Sequence, residues 1–414
     1  KKKKQLLTAA ILSCLVIAGS TAAPKSAKKK PKIPVSRVQT HMDGYLGDRI
    51  DACIRVRVCS EDPDLLVAPM RRQTETSLWQ SEFWGKWTLG AIASYRYNKD
   101  PELLRKIEGG VESLLAAQQP DGYIGNYAPE AQLTNWDVWG RKYTMLGLLA
   151  YYDLTGDKKA LDGAVRLADH LLTQIPAVRQ IERTGIYRGM SSCSILEPIM
   201  LLYNRTLDEK YLDFARYIVD RMESADGPQL IAKALDGVPV SERFPLDDPS
   251  RGWFVWENGQ KAYEMMSCYD GLLELYKVTN DPRYLKAVEA TVTSIIADEI
   301  NIAGSGSSFE CFYKGKALQT EPAYHTMETC VTMTWMKLCY DLLRLTRNPL
   351  YADQIERSAY NALAASMKED ASQIAKYSPL EGARSAGEEQ CGMHVNCCNM
   401  NGPRAFALLP EAAV

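Results

Sequence analysis

The sequence predicts an all-α protein in which six antiparallel helical hairpins close into a ring, an (α/α)6 toroid. Two observations lead to this prediction. Long segments carry apolar residues at the spacing of helices, as in 83–97, 103–117 and 143–154. A characteristic turn sequence recurs between such segments, and one unpaired helical segment remains towards each end of the chain.

The recurring turn joins the two helices of each predicted hairpin. It begins with an aromatic residue or leucine, has a polar residue three positions later, and leads directly into a new helix. The five copies are 95–101, 152–157, 203–208, 276–282 and 343–349. In each copy an Asp or Asn can cap the new helix, and proline is accepted in its first turn. The copies lie roughly 50 to 75 residues apart, which predicts five antiparallel helix pairs.

Closure of the ring depends on two helical segments that lack this turn, 45–58 and 403–412. Pairing them adds a sixth hairpin and closes the toroid. An open helical solenoid is the alternative, but it would need polar capping repeats at its ends. In the closed ring the short turns lie on one face, and the longer links between hairpins form a cleft on the other. These links are 119–136, 179–193, 226–258, 299–326 and 368–396.

The amino-terminal segment, residues 1–23, is expected to be a signal peptide. Residues 1–4 are all lysine, residues 6–18 form an apolar run, and small residues follow it. The apolar run is too short for a membrane-spanning helix. We therefore expect cleavage near Ala22 or Ala23, export to the periplasm or the extracellular space, and no integral membrane domain.

The next segment, residues 24–40, is rich in lysine and proline and is expected to be a flexible linker. Residues 41–414 then form the helical domain. An alternative interpretation of the amino end is a lipoprotein attached through Cys14, although the apolar run continues past this cysteine to Ala18.

Composition restricts the class of partner. The chain has 414 residues, of which 46% are hydrophobic, so it can bury a large core. Its 49 basic and 51 acidic residues are interspersed, which argues against a nucleic-acid partner. The 8 tryptophans and 22 tyrosines suit a cleft that stacks on sugar rings, but such aromatics also pack helices together.

Most of the 11 cysteines are expected to be small buried packing residues. A disulfide framework would be unusual in a domain of this size. The cysteines in apolar helical contexts are Cys53, Cys59, Cys193, Cys268 and Cys339. The exceptions, which could carry chemistry, are Cys330, Cys391, Cys397 and Cys398.

Three of these exceptions stand at predicted helix starts. Glu328-Thr-Cys330 begins a helix that runs to Leu345, and Cys397-Cys398 directly precedes the helix predicted to start near Pro403. Three thiolates and a carboxylate at two helix entrances suit a tetrahedral zinc ion, and a helix amino terminus favours the thiolate form. The alternatives are a purely structural zinc, a disulfide from Cys330 or Cys391 to the pair, and free thiols.

The order of several motifs resembles glycoside hydrolase family 127, the β-L-arabinofuranosidase family. The motifs are Gly304-Ser305, Glu310-Cys-Phe312, Glu328-Thr-Cys330 and Cys397-Cys398. Other stretches between residues 42 and 410 are similar to the same family: 43–47, 82–87, 119–125, 351–357 and Asn361. The resemblance implies an (α/α)6 barrel acting on arabinose-containing or pectic glycans of plant cell walls, with an oligosaccharide substrate.

The resemblance also implies residue roles. Glu328, Cys330, Cys397 and Cys398 would hold Zn2+, with Cys397 as nucleophile and Glu310 as general acid/base. Cys397 would attack the anomeric carbon while Glu310 protonates the leaving oxygen, and Glu310 would then activate water, giving net retention in an exo-acting hydrolase. Because the spacing from Glu310 to Glu328 is longer than in the family, Glu321 is the substitute candidate for the acid/base.

The residues expected to contact substrate come from the long links and from positions near the metal motifs. They are Trp136, Lys142, Arg188, Trp256, Tyr377 and His394. The family places histidines in its pocket, whereas the corresponding stretches here, 141–143, 189–191 and 260–262, contain none. Lys142 and Arg188 in their place would favour an acidic sugar or a carboxylated substituent.

Two further departures leave other functions open. The double cysteine is followed by Asn-Met-Asn instead of the family's two prolines and asparagine. Family members generally continue into β-sandwich domains, which we do not expect in this chain. The alternatives are a catalytically inactive, zinc-stabilised glycan-binding barrel, or another (α/α)6 enzyme such as an unsaturated-uronide hydrolase or a polysaccharide lyase.

Overall fold

The computed structural model describes residues 40–246, 248–251, 255–256, 260–321 and 325–413. The expected signal peptide, 1–23, and all of the expected linker 24–40 except its last residue lie outside the described residues.

Helices account for most of the described residues. The α-helices are α1 (Gly44–Cys53), α2 (Pro63–Arg72), α3 (Ser81–Asn98), α4 (Pro101–Ala116), α5 (Asp137–Thr155), α6 (Lys158–Gln174), α7 (Met190–Cys193), α8 (Leu196–Thr206), α9 (Glu209–Met222), α10 (Leu230–Leu235), α11 (Ala262–Thr279), α12 (Pro282–Asp298), α13 (Gly315–Leu318), α14 (Thr329–Thr346), α15 (Pro349–Ser358), α16 (Ala364–Ser366) and α17 (Cys397–Ala412). Two π-helical segments are Ile54–Val58 and Ala359–Leu363, and the 3-10 turns are Pro129–Ala131, Ile181–Arg183, Val240–Glu242 and Pro249–Arg251. The strands β1 (Gln260–Lys261) and β2 (Cys311–Phe312) form one short antiparallel ladder. Within the part of the chain that the structure describes, no helix combines the length and the apolar character needed to cross a membrane.

Six helices form a closed inner ring in which each helix packs on the next. In ring order they are α3, α5, α8, α11, α14 and α17, and α17 packs back on α3. The outer helices α4, α6, α9, α12 and α15 each pack on the inner helix that precedes them in the chain. The sixth hairpin is completed by α1 and the π-helical segment after it, which pack on α17. The predicted (α/α)6 toroid, including the pairing of its first and last helical segments, is confirmed.

The five hairpin turns share one conformation, which explains why their sequences recur. The inner helix ends in a residue with left-handed backbone, and the following Asp or Asn caps the outer helix through its side chain. The left-handed residues are Lys99, Gly156, Leu207, Asn280 and Arg347. The capping residues are Asp100, Asp157, Asp208, Asp281 and Asn348, whose side-chain oxygens accept a backbone N–H at 2.9 to 3.2 Å. Each cap satisfies an otherwise unpaired N–H and is worth about 1 kcal/mol.

Buried Arg49 of α1 ties the amino end of the ring to the segment that follows the last outer helix. Its guanidinium donates to the carbonyl oxygens of Ala364, Met367, Lys368 and Glu369, at 2.9 Å in the case of Lys368. These carbonyls lie in and just after the short helix α16, and one guanidinium with several N–H groups donates to all four.

A second buried ionic group joins three inner helices. The ammonium of Lys337 on α14 lies 2.9 Å from Glu197 of α8, 3.0 Å from Asp270 of α11 and 3.1 Å from Asp341 of its own helix. Lys142 of α5 interacts electrostatically with Glu197 and Asp270. The interior of the ring is therefore held by charge pairing as well as by apolar packing.

Candidate active site

The amino ends of α14 and α17 bring the predicted metal ligands together. Glu328 is the residue that precedes α14, Cys330 lies in its first turn, and Cys397 and Cys398 open α17. Because α14 and α17 are neighbours in the inner ring, the four side chains meet at one end of the barrel. We call these four residues the Glu/Cys cluster.

The start of α17 differs from the prediction that this helix begins near Pro403. The helix begins at Cys397 and contains Pro403 in its interior. The side chain of Asn396 accepts the backbone N–H of Asn399 at 3.0 Å and so caps a helix that starts before the proline. As a result both cysteines lie inside the first turn, where the helix dipole favours negative charge.

The Glu/Cys cluster is buried and compact. Its ligand atoms all lie within 4.8 Å of one another, and all four residues are buried. The Cys398 and Cys330 sulfurs are 3.4 Å apart, and the Cys397 and Cys398 sulfurs are 3.9 Å apart. Glu328 Oε1 is 3.5 Å from the Cys397 sulfur and 3.6 Å from the Cys398 sulfur. A carboxylate and three thiols at these separations can hold a metal ion.

Charge is distributed unequally within the cluster. Hydrogen bonds from the Cys330 and Cys398 thiols to the Cys397 sulfur hold the pKa of Cys397 well below its ordinary value. Burial raises the pKa of Cys330 and of Cys398. Burial, reinforced by Glu310 and Cys397, also raises the pKa of Glu328. Cys397 is therefore the thiol of the cluster that ionises most readily.

Glu310 lies directly before β2 and is positioned by the short β-ladder. Its backbone is left-handed, with φ of 64°, and its carbonyl oxygen accepts the N–H of Ala262 at 2.9 Å. The ladder places Lys261 beside it, with the ammonium 2.9 Å from Glu310 Oε2. Lys376 lies 3.4 Å from Oε1, and the Tyr377 hydroxyl donates to Oε1 at 3.2 Å. The Glu310 carboxylate therefore contacts two cations and one hydroxyl group.

The ionisation of Glu310 reflects a contest between burial and these cations. Burial opposes the charged form, but Lys261 and Lys376 outweigh it and hold the pKa of Glu310 below its ordinary value. Glu310 also interacts electrostatically with Cys397 and Glu328. The acid/base candidate and the Glu/Cys cluster therefore belong to one site.

Lys376 and Tyr377 reach this site because their segment runs along the start of α14. The carbonyl oxygen of Lys376 accepts the N–H of Thr329 at 3.0 Å, and the Thr326 carbonyl accepts the N–H of Ser378 at 3.0 Å. The Cys398 thiol also lies 3.9 Å from the Lys376 carbonyl oxygen. The segment therefore touches the Glu/Cys cluster with its backbone and Glu310 with its side chains.

Four aromatic side chains form a wall beside Glu310, which we call the aromatic wall: Trp256, Phe309, His325 and Tyr377. The His325 ring lies 4.9 Å from those of Trp256 and Tyr377 and 4.8 Å from that of Phe309. The Trp256 and Phe309 rings are 4.8 Å apart, edge to face. The indole N–H of Trp256 donates to the Tyr377 hydroxyl at 3.3 Å.

Lys142 and Arg188, two of the predicted substrate-binding residues, each lie over an aromatic ring. Lys142 is only 1% exposed, and its ammonium lies 4.6 Å from the ring centre of Trp139. Exposed Arg188 lies over the Phe244 ring at 5.5 Å. The preference for an acidic sugar inferred from Lys142 and Arg188 stays a prediction.

The contacts of the other predicted residues are as follows. His394 is paired with Glu61 at 2.7 Å. The Trp136 ring packs at 5.8 Å against that of Tyr187, and the Lys261 ammonium lies over the Tyr187 ring. Glu321, the substitute acid/base candidate, is exposed. Trp256 and Tyr377 do lie beside Glu310.

Sequence reasoning missed the contacts of Lys261 and Lys376 with Glu310, and the positions of Phe309 and His325 in the wall. The signal for Lys261 was its place in a stretch where the family has histidine. Lys376 had no comparable signal beyond adjacency to Tyr377.

A closed ring of six hairpins with a carboxylate and a cysteine cluster at one end defines an (α/α)6 toroid protein with a candidate metal centre. The profile of the family described as beta-L-arabinofuranosidase, GH127 catalytic domain, matches residues 38–411. The chain belongs to this family.

Known relatives are distant in sequence but similar in fold. A non-reducing end beta-L-arabinofuranosidase of Bifidobacterium longum subsp. longum is 22% identical over 322 residues, which cover 72% of this chain and 47% of the relative. A solved GH127 beta-arabinofuranosidase superposes with a TM-score of 0.64 at 21% identity, covering 90% of this chain and 60% of that one. A GH127 beta-L-arabinofuranosidase from Geobacillus stearothermophilus T6 has a TM-score of 0.64 at 20% identity, covering 89% and 64%. The chain therefore spans about half the length of the curated relative.

Proposed function

We propose that the chain is a retaining, exo-acting glycoside hydrolase that removes terminal β-L-arabinofuranose-like sugars, with Cys397 as nucleophile and Glu310 as acid/base. The observation that carries this proposal is the buried Glu/Cys cluster, whose most readily ionised thiol interacts electrostatically with Glu310. Membership of the GH127 family supports the same activity.

Zinc is the proposed metal of the Glu/Cys cluster. A tetrahedral zinc ion with bonds of about 2.3 Å to sulfur requires sulfur atoms about 3.8 Å apart. The measured sulfur separations of 3.4 and 3.9 Å bracket that value. Thiolate and carboxylate ligands in a closed, buried set are typical of zinc. When bound, zinc would keep the thiols ionised and fix the orientation of Cys397.

The side chains then supply two displacement steps. In the first, the Cys397 sulfur forms a bond to the anomeric carbon as the glycosidic carbon–oxygen bond breaks, and Glu310 gives its proton to the leaving oxygen. In the second, Glu310 takes a proton from water, the water oxygen bonds to the anomeric carbon, and the carbon–sulfur bond breaks to return the thiolate. Two inversions give net retention.

The substrate class and location are part of the same proposal. A non-reducing end activity is named for the Bifidobacterium relative, which supports exo action on arabinofuranosides. We place the substrate among oligosaccharides of plant cell-wall arabinan or pectin, and we place the protein in the periplasm or outside the cell. The basis for export is the signal-peptide pattern of residues 1–23.

The test is turnover of an aryl β-L-arabinofuranoside with the anomer of the first product read by NMR. The wild type should release the β-anomer, and Cys397→Ala should lose at least about a thousandfold in kcat. Cys391→Ala is the matched control, because Cys391 is half-buried but outside the Glu/Cys cluster. Inversion at the anomeric carbon, or full activity in Cys397→Ala, would refute the proposed mechanism. Sugar binding without turnover in the wild type would instead indicate a glycan-binding barrel.

A further inference from the structure

Trp256 is the most exposed member of the aromatic wall, and His325 is half-buried. Tyr377 is 4% exposed and Phe309 is 6% exposed, whereas Trp256 is 38% exposed. A large indole left open to solvent beside the partly exposed Glu310 carboxylate is a surface that can bind the apolar face of a sugar ring.

A chain of two hydrogen bonds fixes this indole relative to Glu310. The Trp256 N–H donates to the Tyr377 hydroxyl at 3.3 Å, and that hydroxyl donates to Glu310 Oε1 at 3.2 Å. His325 packs against both rings at 4.9 Å and fills the space between them. The exposed face of Trp256 is therefore held at a defined place next to the acid/base carboxylate.

The geometry of the proposed reaction assigns this face to one part of the substrate. In an in-line displacement the attacking Cys397 sulfur and the leaving oxygen lie on opposite sides of the anomeric carbon. Glu310 must reach the leaving oxygen, so it lies on the leaving-group side. Side chains that extend from Glu310 towards solvent then meet the leaving sugar and not the sugar that Cys397 attacks.

Among the side chains that contact the Glu310 carboxylate, Tyr377 is the one that hydrogen-bonds to the exposed indole of Trp256. Lys261 is 2% exposed and its ammonium covers the Tyr187 ring at 4.8 Å. The Lys376 side chain is 11% exposed. The Glu310 side chain is itself 21% exposed, and Tyr377 links it to the exposed indole of Trp256.

We propose that Trp256, supported by His325 and Phe309, is the binding surface for the leaving-group sugar. Trp256 would then determine specificity for substrates whose leaving group is a sugar over simple alkyl glycosides. This inference rests on the proposed glycosidase function. The ligand chemistry is a pyranose or furanose ring that presents C–H groups to the indole face, with its linking oxygen within reach of Glu310.

The experiment compares two substrates that share the attacked sugar and differ in the leaving group: methyl β-L-arabinofuranoside and a β-L-arabinofuranosyl disaccharide. For the full-length protein, the ratio of kcat/KM for the disaccharide to that for the methyl glycoside should fall about tenfold in Trp256→Ala. Trp256→Phe should keep most of the wild-type ratio, because an aromatic face remains. Tyr45→Ala is the matched control, because Tyr45 is an aromatic residue of α1 that is 56% exposed, and it should leave the ratio unchanged.

A binding measurement without turnover complements the kinetics. In a Cys397→Ala background, saturation-transfer NMR with the disaccharide should show strong transfer to the leaving-sugar protons, and Trp256→Ala should reduce it. An unchanged kcat/KM ratio in Trp256→Ala, with an active wild type, overturns the assignment and leaves the proposed function intact. A wild type that cleaves neither substrate overturns the proposed function, and the assignment with it.

Discussion

The ammonium of Lys261 lies 2.9 Å from the carboxylate of Glu310, and the two residues are joined across the only β-ladder formed by the described residues. The backbone of Ala262 donates to the Glu310 carbonyl, so the pairing of the strands determines the side-chain contact. A general acid must carry a proton, yet this ion pair favours the carboxylate form of Glu310. The proposed first step therefore works against the resting charge of its own acid.

Removing this cation should change the pH dependence of turnover. Burial opposes ionisation of Glu310, and Lys261 is the largest influence that counteracts burial. In Lys261→Met the pKa of Glu310 should rise, so the protonated acid persists to higher pH. The alkaline limb of kcat/KM for methyl β-L-arabinofuranoside should move upward by about one pH unit or more. A pH profile from acid to alkaline conditions measures this shift.

The matched control for that profile is Lys316→Met, since Lys316 is an exposed lysine of α13. Its profile should coincide with that of the wild type. If Lys261→Met moves the alkaline limb downward or not at all, Glu310 is not the group that gives the proton to the leaving oxygen.

Removing one thiol should release the metal. Cys398 lies 3.4 Å from the Cys330 sulfur and 3.6 Å from Glu328, so Cys398→Ser alters a ligand in contact with two others. The purified wild type should contain about one zinc ion per chain, and the variant should bind zinc at least about tenfold more weakly. Elemental analysis after dialysis against a chelator measures the content. Cys391→Ser should retain the wild-type content, and equal zinc in Cys398→Ser and wild type would remove Cys398 from the ligand set.

The hairpins could be predicted from sequence because each depends on residues close together in the chain. In the turn 276–282, the Thr279 hydroxyl accepts the Asp281 N–H at 3.3 Å, and Asp281 accepts the Arg283 N–H at 3.0 Å. Such local bonds leave the same residue pattern wherever they recur. Five such turns and two leftover helical segments then predicted six hairpins, and six hairpins predicted a closed ring.

The surroundings of Glu310 could not be predicted in the same way. Lys376 is brought to Glu310 by a segment that bonds to the start of α14, and Lys261 by a ladder of two residues on each side. Neither contact has a periodic signal, since each depends on how separate links pack across the end of the barrel. The same limit applies to Lys142, whose position in the sequence gave no indication that its side chain is almost fully buried.

The contribution of a helix cap, here Asp281, can be tested by measuring the free energy of unfolding. The pKa of Asp281 is lowered mainly by a hydrogen bond from the Arg283 side chain. This effect outweighs that of burial, and the Arg283 backbone N–H lowers the pKa further. A carboxyl with a lowered pKa stabilises the fold above its unfolded pKa, and this contribution disappears as the pH falls through the folded value. Asp281→Ala should reduce the free energy of unfolding by about 1 kcal/mol at neutral pH, and by less in strong acid. Urea unfolding followed by circular dichroism measures both, and Asp162→Ala, at an exposed position inside α6, should not destabilise.

The buried ionic group around Lys337 should respond much more strongly. Lys337 counteracts burial at Glu197 and Asp341 and so contributes to lowering the pKa of each, whereas burial still raises the pKa of Asp270 to about 7. In Lys337→Met these carboxylates lose their shared cation, and removing one partner from a buried ion pair costs about 3 to 5 kcal/mol.

This loss should depend on pH in a direction that identifies its cause. Without Lys337 the folded-state pKa values of the carboxyls rise above those of the unfolded chain, so the destabilisation is largest at neutral pH and shrinks as acid protonates them. Lys210→Met provides the contrast, because Lys210 pairs with Asp169 at 2.8 Å on the surface and should contribute no more than about 1 kcal/mol. Urea unfolding of both variants at neutral and mildly acidic pH measures the difference. A loss in Lys337→Met that is the same at both pH values would show that Lys337 stabilises the ring by packing its hydrocarbon chain and not by its charge.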